Sequence, residues 1–175
     1  MKVCIGIDPG NEGAVAFLFE NGRIEFSDAP TGVVKRGKVT RRVLLPAGMN
    51  AIFDSLDDRS RELASAYDVK VYLEQVGAMP KQGLTSTFNF GMGYGIWQGI
   101  LAARGLPYRF VTPNEWKKEM MSGMGKDKDA SVVQAQRLFP DAAHLLQRPK
   151  RGGGVMLLNG RADALLIAAW GRKQG

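Results

Sequence analysis

Three acidic residues lie where apolar segments end or are interrupted. Asp8 follows the apolar run VCIGI, and the Pro9 and Gly10 after it force a turn, so its side chain is expected at the edge of a sheet. Glu74 ends a second, mostly apolar run, VKVYLE. Asp163 lies in ADALLIAAW, where every other side chain is apolar. A carboxylate inside such a helix needs a partner, because burying an unpaired charge is costly.

The segments between these acids predict how they are positioned. Alternating patterns predict three antiparallel strands, at residues 2–8, 13–19 and 23–27. Helical spacing over 46–67 and a buried strand at 69–75 follow, which gives a β-β-β-α-β order. The fourth strand of such a sheet is expected beside the first. Asp8 and Glu74 would then meet at one edge, with Asp163 docking against the same point.

The remaining segments predict one α/β domain over residues 1–175, with a mixed five-stranded sheet flanked by helices. The basic segment 30–45 is a loop or a hairpin, and 148–155 is a glycine-rich connection. A glycine-studded helix is expected over 90–105 and a strand over 107–111. Further helices are expected from Pro113, over 130–138 and 141–146, and from the final apolar segment. No repeat or linker divides the chain.

Three neighbouring carboxylates repel one another, and desolvation adds to the cost, so such a cluster persists mainly when divalent cations neutralise it. Mg²⁺ prefers oxygen ligands, and a pair of ions can activate water and stabilise the leaving oxygen of a phosphodiester. The predicted chemistry is phosphodiester hydrolysis. Taken singly, Asp8 is explained as a turn former, Glu74 as the partner of a surface cation and Asp163 as a residue favouring a helix N-terminus.

Composition restricts the other possibilities. The single Cys4 excludes an internal disulfide, and with the single His144 it excludes a zinc site built from these residue types. An excess of 24 Lys and Arg over 17 Asp and Glu gives a net charge of +7, which suits a polyanionic partner. No signal peptide and no membrane span is evident. We expect a soluble protein of the cytoplasm or an organelle interior, not a secreted one.

The motifs as a set resemble those of the RuvC-type Holliday junction resolvases, of the ribonuclease H-like superfamily. IDPG in the first strand, a Glu ending the fourth strand and an ADAL-type final helix occur in that family's order. GKVTRR, FGMGYGIWQG and GRADALLIAAW resemble its chloroplast and phage-like branch. The resemblance implies a ribonuclease H-like fold and a homodimer that makes paired nicks in four-way junction DNA. It implies no membrane and no small-molecule substrate.

The same resemblance implies site residues. Asp8, Glu74 and Asp163 would be catalytic and would bind two Mg²⁺ ions, with Mn²⁺ as a substitute. Lys128 matches a lysine that the branch uses near the scissile phosphate, where an ammonium offsets transition-state charge. The chain departs from the family one turn before Asp163, where many members carry an acid or a His and this chain has Asn159 and Gly160. Asn159 ligates through its amide oxygen, water fills the position, or another acid reaches in, the candidates being Glu12, Asp127 and Asp129.

Basic and aromatic residues indicate a DNA surface, although a solvated basic face is the ordinary explanation for each cation. The expected DNA-binding residues are Lys35, Arg36, Lys38, Arg41, Arg42, Lys81, Gln82, Phe88, Phe90, Lys117, Lys118 and Lys126. The RPKR of 148–151 is a further candidate. Phe88 or Phe90 would stack on an unpaired base. Gly95 and Gly99 are expected to pack against the sheet or a partner helix, with Trp97 in the core.

Three other functions compete with junction resolution. One is another ribonuclease H-like nuclease, acting on flapped or branched DNA or on RNA–DNA hybrids. A second is a catalytically weak junction-binding protein, suggested by the absent fourth acid. A third follows from DPGNEGA, which resembles the phosphate loop of actin-like and sugar-kinase ATPases. Those ATPases need a duplicated domain and a longer chain, and Glu74 and Asp163 would then have no role.

Overall fold

A computed structural model describes residues 1–37, 39–62, 67–77, 83–125 and 127–175, without the side chains of 36, 39 and 59–62. The predicted site residues Lys38, Lys81, Gln82 and Lys126 therefore lie outside the described residues. So does the side chain of Arg36. Within the described part of the chain, no helix is both long and apolar enough to cross a membrane.

The centre of the fold is a mixed five-stranded sheet in the order β3-β2-β1-β6-β7. Its strands are β1 (Lys2–Ile7), β2 (Ala14–Phe19), β3 (Ile24–Asp28), β6 (Asp68–Glu74) and β7 (Tyr108–Val111). Strands β1, β2 and β3 pair antiparallel, and β6 and β7 add in parallel beside β1. The predicted sheet, including the placement of the Glu74 strand next to the first strand, is confirmed.

Helices cover both faces of this sheet. They are α1 (Pro46–Ala51), α2 (Asp54–Glu62), α3 (Leu84–Ala103), α4 (Pro113–Met120), α5 (Ala130–Leu138), a 3-10 helix (Pro140–Leu146) and α6 (Asn159–Lys173). Alternation along β1 separates the two cores. Val3, Ile5 and Ile7 face a core completed by α1, α2 and α3, which includes the fully buried Trp97. The opposite core is built on α4, α5 and α6.

Close packing places α6 directly on the sheet. A Cβ at Gly6 of β1 would collide with the carbonyl oxygen of Ala164, and one at Gly171 would collide with the ring of Tyr72. At the start of α6, Gly160 forms an isolated parallel bridge with Gly13, and a Cβ there would collide with the Glu12 carbonyl oxygen. The N-terminus of α6 is therefore fixed against the turn that follows Asp8.

Three predictions about the outer elements change. The basic segment is a hairpin, of β4 (Thr31–Arg36) and β5 (Val39–Leu44), which settles the open alternative. The predicted helix over 46–67 is divided into α1 and α2, and its residues 63–66 lie outside the described residues. The predicted connection at 148–155 is a second hairpin, of β8 (Gln147–Pro149) and β9 (Val155–Leu157). Its turn uses glycines with positive φ at 152–154, which residues with a side chain rarely adopt.

Candidate active site

The strand register brings Asp8 and Glu74 to one edge of the sheet. Ile7 pairs with Leu73 in the parallel β1–β6 ladder, so the residues that follow, Asp8 and Glu74, are neighbours. Side chains alternate along a strand, and Glu74 is two residues from Tyr72, which packs in the core beneath α6. Both acids therefore share the face covered by α6, which carries Asp163. The sheet topology therefore brings Asp8, Glu74 and Asp163 to the same edge of the sheet, as predicted.

Each of the three carboxylates accepts a hydrogen bond from a different element. The Gly10 N–H donates to Asp8 Oδ1 at 3.1 Å, within the tight turn after β1. The indole N–H of Trp116, on α4, donates to Glu74 Oε1 at 2.8 Å. The Ser131 hydroxyl, on α5, donates to the Asp163 carboxylate. A turn, α4 and α5 thus orient the three acids, which otherwise lie on β1, β6 and α6.

Burial and mutual repulsion make these carboxyls weaker acids than usual. The pKa of Asp8 is raised to about 7, chiefly because burial penalises its charged form; the Gly10 bond opposes this, and the charges of Glu74 and Asp163 raise it further. Burial also raises the pKa of Glu74 and that of Asp163. The Trp116 and Ser131 bonds oppose those shifts. A group of acids held this way favours a bound cation when all three are ionised.

Among the described lysines, Lys117 is the one whose charge acts on this cluster. It lowers the pKa of Asp8, of Glu74 and of Asp163. Its Nζ lies 5.0 Å from the ring centroid of Trp116, within cation–π range. Lys128, which the sequence singled out, lies instead in the turn before α5 and lines a neighbouring cavity. The two lysines thus lie on separate elements, and of the two only Lys117 acts on the acids.

That cavity, of about 850 Å³, lies between the β4–β5 and β8–β9 hairpins and the start of α6. The carboxylate cluster does not line it; Glu12, Arg42, Lys128, Arg148 and Lys150 do, among others. Its charged side chains are partly paired, since Arg42 lies 3.9 Å from Glu12 and Arg161 forms two hydrogen bonds with Asp28. The cavity is a polar groove, and the candidate catalytic groups are the three acids, which lie outside it.

The donor set fits hard divalent cations by its chemistry. It offers three carboxylates, and Asn159 precedes Asp163 by four residues on α6, so the two share a helix face. Asn159 Nδ2 donates to Asp129 Oδ1 at 3.2 Å, while Asn159 Oδ1 is buried with no hydrogen-bond partner in the described part of the chain. Such an orphaned acceptor suits a cation or an ordered water. Within the described residues, however, no three His, Cys, Asp or Glu side chains are close enough to enclose one ion.

The alternative fourth ligands have other contacts. Glu12 is 92% exposed at its side chain and lies near Arg42. Asp129 accepts from Asn159, and Asp127 accepts from the Asp129 N–H at 3.0 Å. Asn159, on the face of α6 that carries Asp163, is therefore the better placed candidate.

Two comparisons with known proteins bear on this site. The chain is 31% identical, over 153 residues and 82% of its length, to a Chlamydomonas reinhardtii protein named Holliday junction resolvase MOC1, chloroplastic. No family model matches the chain. The fold resembles that of T. thermophilus RuvC, solved in complex with a Holliday junction substrate, with a TM-score of 0.53, 14% identity, and coverage of 100% of this chain and 97% of that one.

The chain therefore has the fold of T. thermophilus RuvC, and over 82% of its length it is similar in sequence to the C. reinhardtii protein. It spans 17% of the length of that protein, so the activity of the whole protein is a separate question. Within the RuvC-type fold seen here, Asp8, Glu74 and Asp163 occupy the ends of β1 and β6 and the first turns of α6.

The predicted DNA-binding residues of this chain fall on several surfaces. Exposed cations are spread over the β4–β5 hairpin and α4, at Lys35, Arg41, Arg42, Lys117 and Lys118. Phe88 is 71% exposed, whereas Phe90 is half-buried on the opposite side of α3. An added Cβ at Gly95 or Gly99 has no atom of the described residues within 4 Å, so the prediction that these glycines pack against this chain's own sheet is wrong. The alternative of a partner helix stands.

Sequence reasoning missed the groups that orient the acids. Trp116 and Ser131 received no role, and Lys117 was assigned to DNA alone. Trp116 carried a weak signal, because PNEW predicts a helix start and the indole lies in its first turn. Ser131 carried none, since a serine near a helix start is ordinary.

Proposed function

We propose that this protein is a homodimeric, Mg²⁺-dependent endonuclease that resolves four-way DNA junctions by paired nicks in opposite strands. The convergence of Asp8, Glu74 and Asp163 at one sheet edge of a RuvC-type fold carries this proposal. The name of the C. reinhardtii relative and the DNA bound to the T. thermophilus protein support the choice of substrate. The net charge of +7 suits a polyanionic partner.

In this proposal the three carboxylates and the Asn159 amide oxygen hold two Mg²⁺ ions, with Mn²⁺ as a substitute. When bound, the ions supply an activated water and stabilise the leaving oxygen of the phosphodiester. The chain's own contribution is orientation: Gly10, Trp116 and Ser131 each hold one carboxylate by a hydrogen bond. The raised pKa of Asp8, about 7, means that binding of a cation must displace a proton below neutral pH.

Two lysines are proposed to stabilise the phosphate. Lys117 acts on the carboxylate cluster, and a substrate phosphate bound beside those acids would lie within reach of the same positive charge. Lys128 enters from the turn before α5, on the side of the groove. An ammonium offsets the charge that develops on a phosphoryl group in the transition state. The role that the resemblance implies for Lys128 is thus proposed for Lys117 as well.

The DNA surface is proposed to extend from this edge over the β4–β5 hairpin and the N-terminal part of α3. Arg41 and Arg42 lie on β5, and Arg42 approaches the turn after Asp8 through Glu12. Phe88 is an exposed aromatic side chain suited to stacking on an unpaired base. The predicted contacts at Lys81, Gln82 and Lys126 remain part of the proposal.

The homodimer is proposed to form through α3. Its exposed residues Gly91, Met92, Gly95 and Gly99 lie on one helix face, in the part of α3 that follows Phe88. The glycines have no side chains, and the described residues of this chain leave the space beside them open. A second helix can therefore approach this face closely. Two active sites related by a twofold axis suit two cuts in opposite strands, and twofold symmetry is the commonest arrangement of soluble oligomers.

The deciding experiment is nicking of a synthetic four-way junction in Mg²⁺ by purified protein. We expect symmetric nicks from the wild type, and at least about 100-fold slower nicking with junction binding retained in Asp8→Asn. Asp141→Asn, which changes an exposed acid on the 3-10 helix, is the matched control and should behave as wild type. Undiminished cleavage by Asp8→Asn would remove the active-site assignment.

A panel of matched duplex, flap, RNA–DNA hybrid and four-way substrates separates junction resolution from the other ribonuclease H-like activities. The proposal requires the four-way junction to be cut fastest under the same salt and Mg²⁺ concentrations. Faster cutting of the flap or the hybrid would reassign the substrate while keeping the metal chemistry.

A further inference from the structure

Two buried tryptophans of this chain, Trp97 and Trp116, differ in whether the indole N–H donates a hydrogen bond. Trp97 and Trp116 are both 0% exposed and both belong to apolar cores. The indole N–H of Trp97 is buried with no hydrogen-bond partner among the described residues, whereas that of Trp116 donates to Glu74 Oε1 at 2.8 Å. A core tryptophan that uses its N–H on an active-site carboxylate has a role beyond packing.

We propose that Trp116 is a positioning residue that fixes the orientation of Glu74 for cation binding; this inference rests on the proposed function. One oxygen of Glu74 is engaged by the indole, so rotation of the carboxylate about its last bond is restricted. Donors of this kind, one step behind a ligand, commonly set the affinity of a metal site.

The fold holds Trp116 rigidly enough for this role. Val111 pairs with Glu74 in the β6–β7 ladder, and Thr112 directly after it caps α4. The Thr112 hydroxyl accepts from the Glu115 N–H, and the Glu115 carboxylate accepts from the Thr112 N–H at 2.7 Å. This capping box fixes the first turn of α4, and Trp116 directly follows Glu115 in that turn. The indole and Glu74 are therefore linked through the ladder as well as through their own hydrogen bond.

The same ring also lies beside the cation of the site. Lys117 Nζ is 5.0 Å from the Trp116 ring centroid. One buried side chain thus contacts the acid through the edge of its ring and the ammonium over its face. Replacing the indole by a phenyl ring keeps the aromatic face for Lys117 and removes only the donor to Glu74.

Trp116→Phe and Trp97→Phe form a matched pair of variants. Each shortens a buried indole to a phenyl ring, but only the first removes a hydrogen bond to a site residue. We expect Trp116→Phe to need about 10-fold more Mg²⁺ for half-maximal junction nicking, while Trp97→Phe stays within about twofold of the wild type. Raising Mg²⁺ should restore much of the Trp116→Phe rate, which a general packing defect would not allow.

Two readouts do not depend on cleavage. The rise in melting temperature caused by Mg²⁺ should be smaller in Trp116→Phe than in Trp97→Phe. In the native protein, the indole N–H resonance of Trp116 should move on titration with Mg²⁺ and in Glu74→Gln, while that of Trp97 stays in place. The resonances are assigned by the two tryptophan variants, and the native titration keeps the test informative if Trp116→Phe folds poorly.

The outcomes separate the two proposals. Equal Mg²⁺ dependence of the two tryptophan variants, together with an indole resonance of Trp116 that ignores Mg²⁺, would overturn the positioning role. A wild type that cuts no four-way junction, yet shows the Trp116 resonance moving with Mg²⁺, would retain the positioning role and reject the proposed function.

Discussion

Gly160 lies against Gly13 in an isolated parallel bridge, and this contact joins the start of α6 to the turn that follows Asp8. A Cβ on Gly160 would collide with the carbonyl oxygen of Glu12, so the distance between helix and turn depends on the missing side chain. The glycine that looked like a departure from the family pattern is a packing requirement of the site.

Gly160→Ala should therefore destabilise the protein by about 2 kcal/mol, since backbone atoms must move to admit the methyl group. It should also slow nicking, because Asp163 and Asn159 would move with α6. Unfolding in urea and junction nicking measure the two effects. Gly125→Ala is the control, since an added Cβ there meets nothing within 4 Å. Equal stability of the two variants would contradict the close contact.

Without divalent cations, the stability of the wild type should fall as pH rises from about 4 to about 7. The folded pKa of Asp8 lies above its ordinary value of 3.8, so the folded state binds more protons in this window and ionisation favours unfolding. The full effect of such a shift is roughly 4 kcal/mol. Asp8→Asn, which carries no charge, should be more stable than the wild type at pH 8 and similar at pH 4.

Urea unfolding in EDTA across this pH range measures the difference between Asp8→Asn and the wild type. Asp141→Asn, at an exposed position, serves as the parallel control and should track the wild type. A constant difference between Asp8→Asn and the wild type at all pH values would show that the Asp8 carboxyl is not the group responsible.

Gly95→Arg should convert the proposed dimer to a monomer. Gly95 has open space around an added Cβ, so the arginine is accommodated by a single chain, but it blocks a second helix on the same face of α3. Sedimentation velocity measures the association state. Val133→Arg, which adds the same charge to an exposed position of α5, should remain dimeric. A dimeric Gly95→Arg would place the interface elsewhere.

Phe88→Ala should weaken junction binding by about 1–3 kcal/mol, the usual value of one base stacked on an aromatic ring. Phe88 is 71% exposed, so its loss should leave the free energy of unfolding nearly unchanged. Binding to a four-way junction and to a linear duplex of the same sequence is compared, and only the junction should be affected. Unchanged junction affinity would exclude the stacking role.

Arg41→Gln with Arg42→Gln should reduce the salt dependence of junction binding. Each phosphate contact contributes about 0.9 to the slope of log affinity against log salt concentration, so the pair should lower it by about 1.8. The matched control is Lys2→Gln with Arg23→Gln, two cations beside Phe19 and Glu20 at the end of the sheet opposite Asp8. Equal slopes for both double variants would exclude the hairpin arginines from the interface.

Much of the fold followed from local pattern, because strand alternation, turn residues and helical spacing are properties of neighbouring residues. The three initial strands, the Glu74 strand beside the first, and α5 over Ala130–Leu138 agree with expectation. The hairpin of β8 and β9 could not be predicted from the sequence, because its strands are three residues long and an alternation of apolar and polar residues cannot be recognised over so few positions. The division between α1 and α2 was likewise invisible in a continuous helical period.

The sequence by itself determined which acids form the cluster, because two of them end adjacent strands and the third interrupts an apolar helix. Tertiary structure decided what surrounds them: the Trp116 indole on Glu74, the Ser131 hydroxyl on Asp163, and Lys117 as the cation that acts on all three. These contacts join elements that are distant in the chain. They depend on how α4, α5 and α6 pack on the sheet, and no local period encodes that packing.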